Sequence, residues 1–520
     1  MKMTASARRG FALVVALTVA LSASWPTHAA DRGALATAAA SISKDELQGH
    51  VDVLSDDTFE GREAGSRGGR AAGNYLHKAF ETYALVPAGD GQTYFQGFNG
   101  HSRNILGLVE GSDPALKQDV ILIGAHYDHV GYGRVTNSFG PFGYIHNGAD
   151  DNASGVSGLL EIIDAVKRLP TAPRRSILFA LWDGEEQGLL GSRHWVSQPT
   201  VPLERIALAI NLDMIGRMKN DRLSVYGTRT AAGLRRLMSE ANTDAAVSLD
   251  FDWKMKADSD HWPFYERRIP VLMFHTGLHE DYHRPSDDAH RINHDGLAAA
   301  ARFILHSIVQ LADAEQVPAF REAALRESIG NKTWLEQPTP PQPPRYGLPY
   351  DFQSGDPPRV ILSGVTRASP AEQAGLRAGD QLLSFQGETI RDEARFRLAL
   401  LAASGQTEFL VKRPGGEQPL LIKVTPVGEP IRVGISWRSD DAEPGTVLVT
   451  QVVYGSAAHA AGLEVGDRVY GLGDRGFSTT DEFSTLLGTL PGPLNVLVER
   501  DGKLRTVQLD ILDSPPPAAE

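Results

Sequence analysis

The sequence predicts an α/β fold: a mixed, largely parallel sheet flanked by helices, followed by two small β-rich domains. Two observations indicate this arrangement. Before residue 335, short apolar segments alternate with amphipathic helical segments, which is typical of a sheet covered by helices. After residue 345, one motif occurs twice, first at Ser369 and again at Ser456, and this indicates two copies of one small domain.

Four short apolar segments are the predicted central strands: DVILIGA, RSILFALW, RIALAINLD and PVLMF. Each is apolar over most of its length, as expected for strands that are buried on both faces. The segments ASGVSGLLEIIDAVKRL and DGLAAAARFILHSIVQLA have apolar residues at helical spacing. In a sheet of this kind, functional residues are expected at the carboxyl ends of the strands.

Composition divides the chain into six segments. The segment LEQPTPPQPPRYG is rich in proline and predicts an extended, semi-rigid linker with few contacts to either side. The repeated motifs after it are SPAEQAGLRAGDQL and SAAHAAGLEVGDRV. The predicted segments are a signal peptide (1–30), an α/β domain (40–320), the linker (335–345), two repeated domains (346–428 and 431–513) and a tail (514–520).

The N-terminus has the composition of a secretory signal peptide. A basic segment, MKMTASARRG, precedes the apolar run FALVVALTVALSA, and cleavage is expected after Ala29 or Ala30. The apolar run is short for a bilayer span, which disfavours the alternative of a retained membrane anchor. We therefore expect an exported protein, periplasmic or secreted, with no membrane contact after cleavage.

The net charge and the cysteine content limit the possible functions. A formal net charge of −13 argues against nucleic acid and anionic membranes as partners. Because the chain has no cysteine, disulfides and a thiolate nucleophile are excluded. Any metal site must therefore use histidines and carboxylates.

Acidic residues and histidines follow the predicted strands. One acid in such a place is often a helix cap, and an exposed pair of glutamates usually only increases solubility. Several of them at one edge of a sheet require a cation, because close like charges repel each other. Imidazole and carboxylate ligands without thiolate suit Zn²⁺, and less often Mn²⁺ or Co²⁺. The residues are His126, Asp128, Asp150, Asp151, Glu185, Glu186, Asp213, Tyr282 and His283.

Six motifs, in this order, resemble the di-zinc metallopeptidase family of secreted bacterial leucyl aminopeptidases and glutamate carboxypeptidase. They are LSDDTFEGREAGSRGG, GAHYDHVG, NGADDNASG, DGEEQGLLGS, NLDMIG and DYHRPSDD. The resemblance covers about residue 45 to about residue 310. The resemblance implies two Zn²⁺ ions per chain with Asp151 as the bridging ligand. His126 and Asp213 would complete one zinc site, and Glu186 and His283 the other.

The resemblance also implies three residues that act beside the metals. Glu185 is the expected general base, which takes a proton from the attacking water. Asp128 is expected to accept the second ring N–H of His126 and so to fix its tautomer. Tyr282 is the expected oxyanion-stabilising residue. The implied reaction is hydrolysis of a peptide bond by a metal-activated water.

The two repeated domains resemble PDZ domains of bacterial proteases. We name residues 346–428 the first PDZ-like domain and residues 431–513 the second. Such domains bind a peptide as an additional strand and hold its C-terminal carboxylate with backbone N–H groups. The candidate carboxylate loops lie around Gly347 and Gly434. The alternative is that one or both domains only pack against the α/β domain.

Several residues near the motifs permit more than one interpretation. Asp150 is expected to be a turn or cap residue. His129 and His146 match no ligand position in the resemblance, and we expect them to be structural or at the surface. Asp260 and His261 either line the substrate cleft or form a local hydrogen-bonded turn.

The leading functional hypothesis is a zinc-dependent aminopeptidase, because a carboxylate-rich cleft suits the α-ammonium group of a peptide. A carboxypeptidase or dipeptidase needs a basic pocket, and no arginine can be assigned to one. A non-catalytic PDZ peptide-binding protein is disfavoured because the motifs contain every ligand and the base. The expected partners are peptide substrates and, at the PDZ-like domains, peptide or protein C-termini. A chain that ends near Pro338 is expected to fold and to cleave small substrates.

Overall fold

The computed structural model describes residues 29–243 and 246–512. The predicted signal peptide, except for its last two residues, and the predicted tail (514–520) lie outside the described residues. Within the described part, no helix is both long enough and apolar enough to cross a bilayer.

A mixed sheet forms the centre of the α/β domain. Its strands in the described residues are β1 (Val86–Pro87), β2 (Phe95–Phe98), β3 (Ser102–Val109), β4 (Val120–His126), β5 (Ser176–Trp182), β6 (Ile206–Leu212), β7 (Arg222–Tyr226), β8 (Ser248–Asp252) and β9 (Val271–His275). They are ordered β1-β3-β5-β4-β6-β9-β7-β8, with β2 paired to β3. Strands β5, β4, β6 and β9 are mutually parallel, and they coincide with the four predicted central strands. The predicted mixed α/β sheet is confirmed.

Helices cover both faces of this sheet. They are α1 (Ala29–Ser41), α2 (Lys44–Leu54), α3 (Arg67–Thr82), α4 (Gly155–Lys167), α5 (Leu190–Ser197), α6 (Leu234–Ala241), α7 (Trp262–Glu266), α8 (His294–Asp313) and α9 (Ile329–Glu336). On β4, Ile121 and Ile123 belong to the core beneath α4 and α8, whereas Val120 and Leu122 belong to the core beneath α5 and α7. This burial on two sides explains why the strand is continuously apolar.

Each PDZ-like domain contains its own antiparallel sheet. The elements of the first are β10 (Tyr350–Gln353), β11 (Arg359–Leu362), α10 (Pro370–Gln373), β12 (Gln381–Phe385), β13 (Glu388–Thr389), α11 (Glu393–Ala402), β14 (Thr407–Lys412) and β15 (Leu420–Val424). Those of the second are β16 (Ile435–Ser439), β17 (Val447–Val452), α12 (Ala457–Ala460), β18 (Arg468–Leu472), α13 (Thr480–Thr489), β19 (Leu494–Arg500) and β20 (Lys503–Leu509). Strands β10 and β16 are at the edges of their sheets.

The linker makes more contacts than its composition predicts. Its first residues belong to the end of α9. Thr339 then donates its N–H to the carbonyl of Thr450 on β17 at 2.8 Å, and Gln451 donates to the carbonyl of Pro340 at 3.4 Å. The prediction of few contacts is therefore wrong. Proline removes an N–H donor but leaves its carbonyl free to accept a hydrogen bond, and composition alone does not reveal this.

The second PDZ-like domain packs against the α/β domain through buried ion pairs. Arg235 on α6 donates two hydrogen bonds, at 2.9 and 3.0 Å, to the fully buried Glu499 on β19. Arg229 donates to Asp440 at 2.8 Å. A chain that ends near Pro338 lacks these partners. We therefore expect it to be less stable than the whole chain, contrary to the expectation from the linker's composition.

Glu499→Ala is expected to destabilise the whole chain by about 3–5 kcal/mol, because it leaves the largely buried guanidinium of Arg235 without its partner. Urea-induced unfolding measures the change. The matched control is Glu266→Ala, which removes a half-exposed ion pair with Arg193 and should change stability by at most about 1 kcal/mol. Equally small changes in both variants would contradict a stabilising role for the interface.

Candidate active site

The predicted site residues meet at the carboxyl ends of the parallel strands. His126 is the last residue of β4, Asp213 follows β6 directly, and Glu185 and Glu186 lie just after β5. Because these strands are neighbours and run in the same direction, their ends lie at one edge of the sheet. The hydrophobic strands thus bring together charged residues that are distant in sequence.

A tight turn before α4 brings Asp151 to the same place. The backbone N–H groups of Asp150 and Asp151 donate to the carboxylate of Asp287, at 3.0–3.1 Å. Gly148, which precedes the turn, has a φ of +57°, and a Cβ there would lie 2.1 Å from the carbonyl oxygen of Asp151. Only glycine fits this position without a shift of the backbone.

Two groups of possible metal ligands share Asp151. In group 1, the Nε2 atom of His126 lies 3.3 Å from Oδ1 of Asp151 and 3.3 Å from Oδ1 of Asp213. In group 2, the Nε2 atom of His283 lies 3.0 Å from Oδ2 of Asp151 and 3.0 Å from Oε2 of Glu186. The two oxygens of Asp151 therefore face different groups, which is the arrangement of a bridging carboxylate.

His129 also belongs to group 2. The sequence did not predict this residue as a candidate ligand. Its Nδ1 atom lies 2.8 Å from Oε1 of Glu186 and 3.8 Å from Oδ2 of Asp151, and its side chain is fully buried. One donor atom from each of His129, Asp151, Glu186 and His283 lies within 4.8 Å of the others. His129 is therefore not at the surface, and its position makes it a candidate ligand in addition to the residues expected from the sequence.

The donor set fits divalent cations. Asp151, Glu186 and Asp213 bring three carboxylates together with little or no exposure to water, and their repulsion requires positive charge nearby. Oδ2 of Asp151 makes no well-aligned hydrogen bond in the described residues, although His283 is close. Burial raises the pKa of Asp151, but His126 and His283 outweigh burial and hold this pKa well below its ordinary value. The carboxylate is thus available as an anionic ligand.

Glu185 lies beside the two groups without belonging to either. Its backbone N–H donates to Oδ1 of Asp128 at 3.1 Å, which fixes the start of the loop. The pKa of Glu185 is well above its ordinary value, chiefly because the carboxyl group is buried. The charge of Glu186 adds to this upward shift, and that of His126 opposes it. A carboxyl group with a raised pKa, next to a metal-ligand cluster, suits proton transfer.

Asp128 contacts His126 in a different way from the one expected. Nδ1 of His126 lies 3.2 Å from the backbone oxygen of Asp128 and 3.8 Å from its carboxylate oxygen Oδ1. The backbone carbonyl is therefore the nearer acceptor for the ring N–H, and it orients the ring. The Asp128 carboxylate accepts the Glu185 N–H instead, so that Asp128 connects a candidate ligand to the candidate base.

Tyr282 lies against His283, with ring centroids 3.9 Å apart in a stacked arrangement. Burial, together with the carboxylates of Asp151 and Glu186, raises the pKa of Tyr282. The phenol therefore keeps its proton at neutral pH and can donate a hydrogen bond to a developing negative charge.

The other residues singled out in the sequence lie near the site but belong to neither ligand group. Asp150 accepts the N–H of Gly216 at 2.7 Å and belongs to neither ligand group, as expected of a turn residue. His146 is buried and lies 2.6 Å from the hydroxyl of Ser138. Asp260 and His261 are almost fully buried, at 1% and 2% exposure, which favours the local-turn interpretation.

Ser259 is a supporting residue that the sequence did not indicate. Its hydroxyl donates to Oδ2 of Asp213 at 2.5 Å and accepts from Asn211 at 2.7 Å. This holds the free oxygen of a candidate ligand in place. The sequence around Ser259 does not indicate that it contacts Asp213, because the two residues become neighbours only when the loop folds back to the end of β6.

The candidate carboxylate loops of the PDZ-like domains precede the edge strands β10 and β16. Gly347 has a φ of +72° and Gly434 a φ of +87°. A Cβ at these positions would lie 2.3 Å from Cβ of Ser369 and 2.2 Å from Cβ of Ser456, respectively. Both glycines are therefore required, and each loop leads directly into a strand with one unpaired edge in its sheet.

Comparison with known proteins agrees with these observations. Residues 104–308 match the model of peptidase family M28, and residues 361–413 and 421–485 match PDZ-domain models. Aminopeptidase YwaD of Bacillus subtilis is 30% identical over 230 residues, which are 42% of this chain and 47% of that protein. The chain thus spans about half the length of this relative.

Two further similarities differ in coverage. Leupeptin-inactivating enzyme 1 of Streptomyces exfoliatus is 25% identical over 440 residues, which are 81% of this chain and 92% of that protein. The crystal structure of the Legionella pneumophila LapA aminopeptidase has 19% identity and a TM-score of 0.47, and the match covers 59% of this chain and 81% of that one.

The fold and the two groups of candidate metal ligands are those expected of a metallopeptidase. Over residues 104–308, which contain the site, the chain is similar to peptidase family M28, and two segments similar to PDZ domains follow.

Proposed function

We propose that this protein is a zinc-dependent aminopeptidase that removes the N-terminal residue of peptides and uses two Zn²⁺ ions. One observation carries the proposal: Asp151 presents one oxygen to each of two ligand groups, and Glu185 interacts with members of both. The aminopeptidases among the relatives support the same activity. Export remains a prediction from residues 1–30.

The residues of the two groups would hold the metals. His126 and Asp213 would bind one ion, Glu186 and His283 would bind the other, and Asp151 would bridge them. His129 is a further candidate ligand of the second ion. Bound zinc lowers the pKa of water and polarises a carbonyl oxygen.

The chain's own residues would then move the proton and stabilise charge. The Glu185 carboxylate would accept a proton from the attacking water and pass it to the departing amine. The Tyr282 hydroxyl would donate a hydrogen bond to the oxyanion that forms at the peptide carbonyl. The high pKa of the tyrosine and its stacking on His283 support this role.

The excess of carboxylates supports a preference for a free N-terminus. Glu185 lies near the cluster in addition to the carboxylate ligands Asp151, Glu186 and Asp213, and carboxylates attract the α-ammonium group of a peptide. The nearby Arg217 is already bonded to Asp281 at 2.9 Å, so it is not free to bind a terminal carboxylate. This observation favours an aminopeptidase over a carboxypeptidase.

A substrate panel tests the proposal. The whole chain is expected to hydrolyse aminoacyl-p-nitroanilides, to leave their N-acetylated forms intact, and to lose activity with a chelator until Zn²⁺ is restored. Peptides with a blocked C-terminus should be cleaved as well as free ones. Cleavage of N-acetylated substrates, or activity that persists after metal removal, would refute the proposal.

A further inference from the structure

Arg62 is a buried arginine whose guanidinium is surrounded by backbone carbonyls. Its side chain is 1% exposed. Nη1 donates to the carbonyls of Leu54 at 2.6 Å and Asn147 at 2.5 Å, Nη2 donates to that of Gly148 at 2.9 Å, and Nε donates to that of Tyr127 at 3.0 Å. All three nitrogens of the guanidinium are therefore used.

Three of these carbonyls belong to the two segments that carry Asp151 and His126, and the fourth, that of Leu54, is at the end of α2. Tyr127 lies between His126 and Asp128 at the end of β4, and Gly148 begins the turn that contains Asp151. The backbone of Arg62 contributes too, because its carbonyl accepts the N–H of His129 at 3.3 Å. One residue thus connects the end of β4 to the turn of the shared ligand.

The guanidinium also carries a charge that no neighbouring carboxylate neutralises directly. In the part of the chain that the structure describes, the hydrogen bonds of the Arg62 guanidinium all go to backbone carbonyls and none to a carboxylate. Burial lowers its pKa to about 10, and the carboxylates of Asp151 and Asp128 raise it, so it remains charged at neutral pH. An uncompensated buried charge is costly. The anionic ligand cluster supplies compensation at longer range.

We propose that Arg62 is a positioning residue that sets the distance between the end of β4 and the Asp151 turn, and that tight metal binding depends on it. The proposal rests on the two-metal site of the proposed function. Lysine can keep the charge but cannot reproduce the planar arrangement of five donors. Substitution of Arg62 by lysine therefore tests the hydrogen-bonding geometry of the side chain while its positive charge is kept.

The test compares Arg62→Lys and Arg62→Met with matched substitutions at Arg175. Arg175 is 2% exposed, lies in the same domain, and donates to the carbonyls of Ala312, Ala314 and Glu315. It differs in a 3.4 Å contact with Asp119. Arg175 directly precedes β5, whose other end leads to Glu185 and Glu186. Its substitution therefore removes a comparable buried guanidinium at the edge of the sheet opposite the ligand groups.

Zn²⁺ affinity is measured by competition with a chelator, and the visible absorption of the Co²⁺-loaded whole chain reports ligand geometry. We expect both Arg62 variants to bind Zn²⁺ about 10–100-fold more weakly, with an altered Co²⁺ spectrum. Arg175→Lys should melt at a lower temperature but keep the metal affinity and the Co²⁺ spectrum. If Arg62→Met does not fold, Arg62→Lys decides the outcome.

Zn²⁺ affinity within threefold of wild type in Arg62→Lys, with an unchanged Co²⁺ spectrum, would overturn the inference. So would an equal loss of affinity in Arg175→Lys, because the effect would then be general destabilisation. Failure of the wild-type chain to bind two Zn²⁺ ions would instead refute the proposed function. The two failures are therefore distinguishable without a measurement of activity.

Discussion

Glu185→Gln is expected to lower kcat by about 10²–10⁴-fold, the usual contribution of a general acid–base residue, while both metals stay bound. Glutamine has nearly the same shape but cannot accept a proton. The backbone N–H of Glu185 that contacts Asp128 is unaffected by the substitution. Zinc content, the melting temperature and kcat, measured on the same preparation, separate loss of the proton transfer from loss of the fold.

The matched comparison is Glu186→Gln, one residue further along the chain. Glu186 lies 3.0 Å from His283 and 2.8 Å from His129, so this variant should lose zinc as well as activity. A Glu185→Gln variant that retained turnover within about tenfold of wild type, a change of only about 1.4 kcal/mol in the barrier, would contradict the assignment of the base. Equal zinc loss in both variants would contradict it too.

Asp151→Ala is expected to release both metals and to abolish measurable hydrolysis. Asp151 is the only residue common to the two ligand groups found in the described residues, so its removal weakens both at once. Asp213→Ala is the comparison, because Asp213 belongs to group 1 alone. Dialysed protein should contain close to no zinc in the first variant and close to one ion in the second.

The thermal stabilisation by added Zn²⁺ provides a second measurement. A ligand that binds only the folded state raises stability by RT ln(1 + [L]/Kd), so the shift should be absent in Asp151→Ala and partly retained in Asp213→Ala. A variant at position 151 that retained one tightly bound ion and substantial activity would contradict the bridge.

The central strands and the residues at their ends could be predicted because the signal lies within each strand's own sequence. Strands β4, β5, β6 and β9 are apolar throughout because both of their faces are buried. Strands β7 and β8 escaped prediction because they are short and carry polar residues such as Ser224 and Asp250. Strand β7 pairs with β9, and β8 pairs with β7. These pairings join segments that are distant in sequence, so a short stretch of sequence does not reveal them.

Contacts between distant segments could not be predicted in the same way. His129 reaches Glu186 because β4 and β5 are neighbours, and the hydrogen bond from Ser259 to Asp213 depends on a loop that returns to the end of β6. The linker was misjudged for a similar reason: the N–H of Thr339 and the carbonyl of Pro340 have their partners on β17, in the second PDZ-like domain. Composition describes chain stiffness, but not the partners that a segment meets.

The ion pair between Arg235 and Glu499 also has a thermodynamic consequence for the molecule as a whole. A buried pair across two domains makes the α/β domain and the second PDZ-like domain a single cooperative unit, because neither can open without leaving a charge unpaired. By linkage, a metal bound at the end of β4 then protects strands β16 to β20 from unfolding, and a peptide bound beside β16 protects the metal site. Hydrogen exchange of amides in either domain would therefore report on ligands of the other.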